Sequence, residues 1–263
     1  MYILIINPPH LSIGSRLAHE HLPPLGLLSI AGPLIDDGHQ VELLDADFHN
    51  TPISSIVDEA LKRKPDAVLL GHSGSTSAQP IINEITSSIR SQAPEIKCII
   101  GGVFPTYHWE EILSRQAQID YIVCGEGEAT CLALIQALEN NSDLELVKGI
   151  AFRNKGEIHK TPNAETLASL DDYRIAWELM KGYNYTYWGK RKAVVIQFSR
   201  GCPYPCTYCG QSLFWKKWRH RDPQKLADEI EMLHREYGIE VINFADENPS
   251  SNPKAWRAFL EAL

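Results

Sequence analysis

Short apolar runs alternate with amphipathic stretches through the first half of the chain. "YILIIN" (2–7), "QVELLDA" (40–46), "DAVLLGHS" (66–73), "IKCIIGG" (96–102) and "IDYIVCG" (119–125) are too short for helices and read as strands. Between them, helical spacing runs through "LGLLSIAGPLIDDG" (25–38), residues 52–64, "QPIINEITSSIRSQ" (79–92), "HWEEILSR" (108–115) and "EATCLALIQALEN" (128–140). Gly38 is placed to end the first helix as its C′ residue. Pro33 falls inside that helix and should kink it or remove its bond to Ser29. Asn50 or Thr51 is expected to cap the second helix, with Pro52 near its first position. Five strands alternating with helices predict an α/β fold, a doubly wound five-stranded parallel sheet over residues 1–138.

The pattern then changes. Residues 149–161 form two short alternating runs around Asn154-Lys155-Gly156, the signature of a hairpin, inside a weakly periodic connecting region at 139–192. "AVVIQFS" (193–199) opens a second unit of strand, cysteine-bearing loop, helix from Pro223 to Tyr237 capped by Asp222, strand "EVINFAD" (240–246) and a helix from Pro253. That is about two β/α units, as expected at the start of a partial TIM-type barrel. Two units cannot close a barrel, so 193–263 is expected to be the incomplete N-terminal part of a larger domain.

A formal net charge of −8 over 263 residues gives no general affinity for nucleic acid or anionic membranes. The N-terminus lacks the basic region and cleavage site of a signal peptide, and no apolar run approaches the ~20 residues of a membrane span. Six cysteines are too sparse for a disulfide scaffold, which suggests a reduced, cytoplasmic protein. Cys98, Cys124 and Cys131 sit in strand or helix patterns and read as buried apolar side chains.

The first candidate site is the carboxyl edge of the sheet, where open α/β sheets bind ligands. Its turns are rich in small residues: Pro9 after strand one, Ser73 and Gly74 after strand three, Gly101, Gly102 and Pro105 after strand four, Gly125, Glu126 and Gly127 after strand five. Such turns let a broad, flat ligand approach the backbone. No G-x-G-x-x-G follows strand one, which disfavours a dinucleotide. "LPPLGLLSIAGPL", "GGVFPT" and "DYIVCGEGEAT" resemble the N-terminal cobalamin-binding domain of the cobalamin-dependent radical S-adenosylmethionine enzymes. The resemblance implies a corrinoid over this edge. Asp47-Phe48-His49 begins the D-x-H-x-x-G pattern that supplies a cobalt ligand elsewhere, but Pro52 replaces its glycine. His10 is better placed after strand one, and many members of that family use no protein imidazole.

The second candidate site is "CPYPCTYC" (202–209). C-x3-C-x2-C sets three soft donors on one loop, whereas structural zinc and closed [4Fe–4S] sites usually take four. Three thiolates leave one iron open for chemistry. Zinc completed by a distal histidine is the alternative. The loop is similar to the radical S-adenosylmethionine signature, which also follows a first barrel strand. The resemblance implies that Cys202, Cys206 and Cys209 bind a [4Fe–4S] cluster, that S-adenosylmethionine chelates the fourth iron, and that the main chain at Tyr208 contacts adenine. Asp246 and Glu247 of "FADENPS" stand where the family binds the methionyl amino group. "SLFWKKWRHRD" (212–222) reads as a cover over this loop, an acidic-substrate contact or a solvated face.

Within the family, "CTYCGQSLFWKKWRHRDP" and "FADENP" look most like the anaerobic magnesium-protoporphyrin IX monomethyl ester cyclases. That implies radical chemistry on a tetrapyrrole, with a flavodoxin or ferredoxin as electron donor. A methylcobalamin-dependent methylase, a cofactor-binding fragment without turnover and a zinc-stabilised interaction protein are the competing readings.

Overall fold

The computed structural model describes residues 1–9, 20–71 and 78–263. Among these, one compact unit comprises residues up to 9, 26–165 and 175–181, and a second comprises 20–25, 166–174 and 182–263.

The first unit runs β1 (Tyr2–Asn7), α1 (Leu25–Asp36), β2 (Gln40–Asp45), α2 (Ile53–Arg63), β3 (Ala67–Gly71), α3 (Gln79–Gln92), β4 (Lys97–Gly101), α4 (Val103–Arg115), β5 (Tyr121–Val123), α5 (Gly127–Glu139), β6 (Ile150–Asn154) and β7 (Glu157–Lys160). Its sheet has the order β2-β1-β3-β4-β5-β6-β7. The expected five parallel strands are present, and two antiparallel ones extend them. The extension is the hairpin. Lys155 and Gly156 both have positive φ (50° and 90°), the geometry of a two-residue primed turn. Ile150, Ala151 and Phe152 of β6 are buried like the central strands.

The central strands bury both faces, which is why they read as unbroken apolar runs. Leu4 and Ile6 face a core with Ile56 and Val57 of α2, Ile82, Ile85 and Ile89 of α3 and Ile112 of α4. Ile3 and Ile5 alternate to the other face and are equally buried. Helix α1 runs through Pro33 and ends at Gly38 (φ 89°), whose N–H donates to Ile35 O.

Two local expectations fail. Neither Asn50 nor Thr51 caps α2: Pro52 holds that position without a side-chain bond, Asn50 is left-handed (φ 47°), and Thr51 N–H is spent on Ala46 O. Helix α4 starts at Val103, five residues early, and is interrupted at His108 (φ −113°, ψ 20°) where the sequence pattern begins. Pro105 is tolerated because the first turn of a helix has no partners for its N–H groups.

The second unit contains β8 (Thr186–Tyr187), β9 (Arg191–Ile196), β10 (Ser199–Arg200), α6 (Gln211–Trp215), β11 (Arg219–His220), α7 (Pro223–Tyr237), β12 (Val241–Phe244) and α8 (Pro253–Ala262). Strand β9 lies between β12, parallel to it, and β8, antiparallel. Asp222 caps α7 as expected, accepting from the N–H groups of Gln224 and Lys225. No helix among the described residues is long and apolar enough to cross a membrane.

Candidate functional site

The parallel register sets Gly71, Gly101 and Val123 side by side at the carboxyl edge of the first unit, and pairs Asn7 with Asp45. The Asn7 side-chain amide donates to Asp45 Oδ1 (2.7 Å), which also takes the N–H of Phe48 (3.1 Å). Beyond the strands, Gly102 (φ 110°) and Gly125 (φ 86°) adopt backbone that other residues avoid. Thr106 stitches their loops together: its hydroxyl donates to Gly102 O (2.7 Å) and accepts from Gly125 N–H (2.9 Å). Sequence reading passed over Thr106. Pro105 and Glu126 are buried beside this edge, while Pro9 and Gly127 are half-buried. A Cβ on Gly127 would meet Ile30 Cδ1 at 3.0 Å. His49 is exposed, its ring edge-on to Phe48. His10, Ser73 and Gly74 lie outside the described residues. A cleft of about 580 Å³ opens at the opposite, amino edge, lined by Met1, Asp66, Lys97 and Tyr121 among others. Its mixed charges gather no chemistry, and the small-residue edge remains the candidate.

Cys98, Cys124 and Cys131 are buried, as their sequence context suggests. Burial pushes their thiols up to about 12, 11 and 12 respectively, so they remain protonated at neutral pH.

The other three cysteines occupy a loop whose ends are pinned together. Ser199 and Arg200 pair antiparallel with His220 and Arg219. Phe198, fully buried before the loop, stacks on Phe259 (ring centroids 5.4 Å apart) and His220 (5.4 Å) and meets Trp256 edge-on (5.3 Å). Gly201 has φ 86°, and a Cβ there would lie 2.6 Å from Lys217 O, so only glycine fits. Cys202 and Cys209 are half-buried, and Cys206 and Tyr208 are exposed. Cys209 N–H donates to Cys206 O (3.1 Å). Among the described residues no three histidine, cysteine or acidic side chains converge on a metal position.

Three consecutive residues after β12 hold this loop. Asp246 accepts from the N–H of Phe198 (3.0 Å) through Oδ2, and from the N–H and hydroxyl of Ser199 through Oδ1. Burial raises its pKa above the usual carboxylate value, Glu247 adds to the rise, and the bonds from Ser199 and Phe198 oppose it. Glu247 Oε2 accepts from Gly201 N–H (3.3 Å). The Asn248 side-chain amide donates to Cys202 Sγ (3.8 Å), while its carbonyl accepts from Trp218 Nε1 (3.0 Å) and the Ser251 hydroxyl (3.1 Å). Asp246 and Glu247 were the sequence candidates here, and Trp218 lies in the segment read as a cover over the loop; Ser199 and Asn248 were not singled out.

The basic-aromatic segment after the cysteines is partly committed inside its own unit. Arg221 pairs with Asp171 (2.7 Å) and Glu229 (2.6 Å). Burial alone would lower the Arg221 pKa, but the two carboxylates outweigh it and raise it. Arg219 donates to Leu167 O (2.8 Å), and the Arg200 guanidinium lies 5.2 Å from the centre of the Trp215 ring. Lys216 and Lys217 are exposed.

Residues 16–135 match the family model of the B12 binding domain, and residues 196–263 match that of the Radical SAM superfamily. The chain thus joins a match to the B12 binding domain to a match to the Radical SAM superfamily. It is 54% identical over its whole length to an anaerobic magnesium-protoporphyrin IX monomethyl ester cyclase of Synechocystis sp., covering 53% of that protein. It is 32% identical to the protein of the same name from Rubrivivax gelatinosus, covering all of this chain and 48% of that one. The chain thus spans about half the length of the curated relatives it matches. Among solved structures it resembles the cobalamin-dependent S-adenosylmethionine radical enzyme OxsB, with a TM-score of 0.77 at 23% identity, over 99% of this chain and 36% of that one. At that identity the likeness concerns the fold.

The radical SAM match begins at Ile196, the last residue of β9, and takes in both the cysteine loop and the Asp246–Asn248 stretch. The donor chemistry suits an iron–sulfur cluster: three soft sulfurs on one accessible loop, with an amide N–H already directed at one of them. At the small-residue edge of the B12-binding domain, Gly125 has open space where a Cβ would stand, which suits a ligand lying close to the backbone, whereas Gly71 and Gly127 make room for Leu27 and Ile30.

Proposed function

We propose that this chain is the cobalamin-binding and cluster-binding portion of an anaerobic magnesium-protoporphyrin IX monomethyl ester oxidative cyclase acting on a tetrapyrrole. The observation that carries the reading is the 54% identity to the Synechocystis cyclase, unbroken across both the B12-binding and radical SAM matches. Cys202, Cys206 and Cys209 would hold a [4Fe–4S] cluster, and the edge with Pro9, Gly101, Gly102, Pro105, Gly125, Glu126 and Gly127 would hold cobalamin, as would the sequence candidates Ser73 and Gly74. When bound, the cluster supplies the electron that cleaves S-adenosylmethionine, and cobalamin supplies redox chemistry for oxidising the substrate.

The chain's own residues do the positioning. Asp246 fixes the entry to the cysteine loop by holding Phe198 and Ser199. Glu247, on the Gly201 N–H, is the nearer candidate for the methionyl amino group, since Asp246 spends both oxygens on the loop. The Tyr208 main chain, next to Cys209, would meet adenine. Residues 1–138 act as the cobalamin domain, 139–192 as the connection and 193–263 as part of the radical SAM domain. We place the protein in the cytoplasm, served by a low-potential donor such as a flavodoxin or ferredoxin.

The test is anaerobic reconstitution of the full-length protein with iron, sulfide and cobalamin, followed by S-adenosylmethionine, reductant and magnesium-protoporphyrin IX monomethyl ester. Deoxyadenosine together with a five-ring product is expected. A methylated porphyrin would make it a methylase instead, and one zinc without iron would end the cluster reading.

A further inference from the structure

Asn248 is the residue that the cyclase reading leaves without a task. It follows directly on the two acidic residues singled out in the sequence, yet its side-chain amide is directed at Cys202 Sγ, 3.8 Å away. The approach is built rather than incidental. The main-chain carbonyl of Asn248 accepts from the Trp218 indole N–H (3.0 Å) and the Ser251 hydroxyl (3.1 Å), which holds the backbone from which the amide projects. The Asn248 backbone (φ −159°, ψ 79°) lies outside the helical region, and Pro249 follows it. The neighbouring contacts of Asp246 and Glu247 fix the facing segment from Phe198 to Gly201. The backbone that carries the donor and the segment leading to the acceptor are therefore held by separate bonds.

An N–H donated to a cluster thiolate stabilises negative charge on that sulfur. One-electron reduction adds one negative charge to the cluster and its thiolates, so the bond favours the reduced form more than the oxidised one. We propose that Asn248 is a positioning residue that donates a hydrogen bond to the Cys202 thiolate and raises the reduction potential of the cluster. The proposal rests on the reading that Cys202, Cys206 and Cys209 carry that cluster. It predicts that Asn248 sets how readily the cluster accepts its electron, and leaves the number of irons unchanged.

The experiment uses the full chain, reconstituted anaerobically, with iron and sulfide counted before a dithionite titration monitored by electron paramagnetic resonance. N248L removes the donor. N248D keeps the shape, removes the donor and adds a charge. N248Q keeps a donor on a longer arm. The midpoint should fall in N248L by about tenfold in the reduction equilibrium, which is about 59 mV for one electron. N248D should fall further, and N248Q should lie between N248L and the parent. Should N248L fail to fold, N248D carries the comparison. Equal midpoints in the parent and the loaded variant would overturn the proposal while leaving the cluster reading intact. A parent chain that binds no iron–sulfur cluster would overturn both.

Discussion

Replacing Asp246 by alanine isolates the contact that holds the start of the cysteine loop. The carboxylate takes the N–H groups of Phe198 and Ser199 and the Ser199 hydroxyl, and both of those residues are fully buried. Truncation strands two backbone donors, each costing about 1–3 kcal/mol when buried and unpaired. The Ser199 hydroxyl can rotate to another acceptor. Against this, the raised Asp246 pKa means that its ionised form is held at some desolvation cost, which the variant escapes. The balance is a local loss of about 2–4 kcal/mol. At 1.4 kcal/mol per factor of ten, the amides of Phe198 and Ser199 should exchange hydrogen about 30 to 1,000 times faster. The ladder amides of β9 and β12 should be unaffected. Asp246→Asn should be intermediate, because its carbonyl can serve one N–H while its amide opposes the other. That penalty should shrink as pH rises from the ordinary carboxylate range through the raised folded-state pKa. A raised folded-state pKa favours the native form in acid, and the advantage fades as the carboxyl ionises, whereas asparagine has no such dependence. Native-state hydrogen exchange read by mass spectrometry is the assay. Unchanged exchange at residues 198 and 199 in folded Asp246→Ala would refute the argument, as would acceleration spread evenly over the whole chain.

Alkylation of the metal-free protein with iodoacetamide at pH 8 should modify only Cys202, Cys206 and Cys209, because the buried thiols ionise at about 11 to 12; labelling of Cys98 or Cys131 at a comparable rate would contradict their burial. Arg221→Met should cost about 3–5 kcal/mol by leaving the Asp171 and Glu229 carboxylates buried without their guanidinium, seen as a lower urea midpoint in tryptophan fluorescence; an unchanged midpoint would dismiss the network. Glu20 accepts the N–H groups of Trp188, Gly189 and Lys190, each at 2.8 Å, and the bond from Lys190 leads in lowering its pKa. Its contribution should therefore persist above the ordinary carboxylate range and disappear as pH falls through the lower folded value. Fluorescence of the exposed Trp188 should report that transition, and Glu20→Gln should abolish it.

What was legible in the sequence followed from local causes. The five parallel strands stood out because a strand buried on both faces has no polar alternation, as Ile3, Leu4, Ile5 and Ile6 illustrate. The hairpin stood out because Lys155-Gly156 suits two positive φ values. Its partner did not: β6 joins β5 through Tyr121 opposite Phe152, a pairing with no local signature. The cap of α2 was misread because Asn50 is used at φ 47° in the preceding turn, and a capping residue must be extended. The start of α4 was hidden by Phe104 and Pro105, which suggest a turn and in fact occupy a first helical turn that needs no N–H partners. The three thiols announced themselves by spacing, while the residues that hold their loop are 46 to 48 positions away and carry no pattern that links them to it.

Those separations also explain why Asp-Glu-Asn works as a unit. Strands β9 and β12 are parallel and in register, with Phe244 opposite Ile196. Their last backbone bond joins Ala245 N–H to Ile196 O. Beyond it the chains separate, yet the correspondence continues through side chains: Asp246 to Phe198 and Ser199, Glu247 to Gly201, Asn248 to Cys202. The offset is 48 at Phe198 and 46 at Gly201 and Cys202, and this slip occurs where Gly201 turns at φ 86°. A continuing strand would send successive side chains to opposite faces and could not present three in a row to one loop. The backbone of Asn248 (φ −159°, ψ 79°) and the helical turn Pro249–Ser251 that follows it end the strand geometry at the point where the third contact is needed. The first cysteine is thus placed by an extension of the sheet's own register, which makes the position of its sulfur a property of the fold, whereas Cys206 further along the loop is exposed.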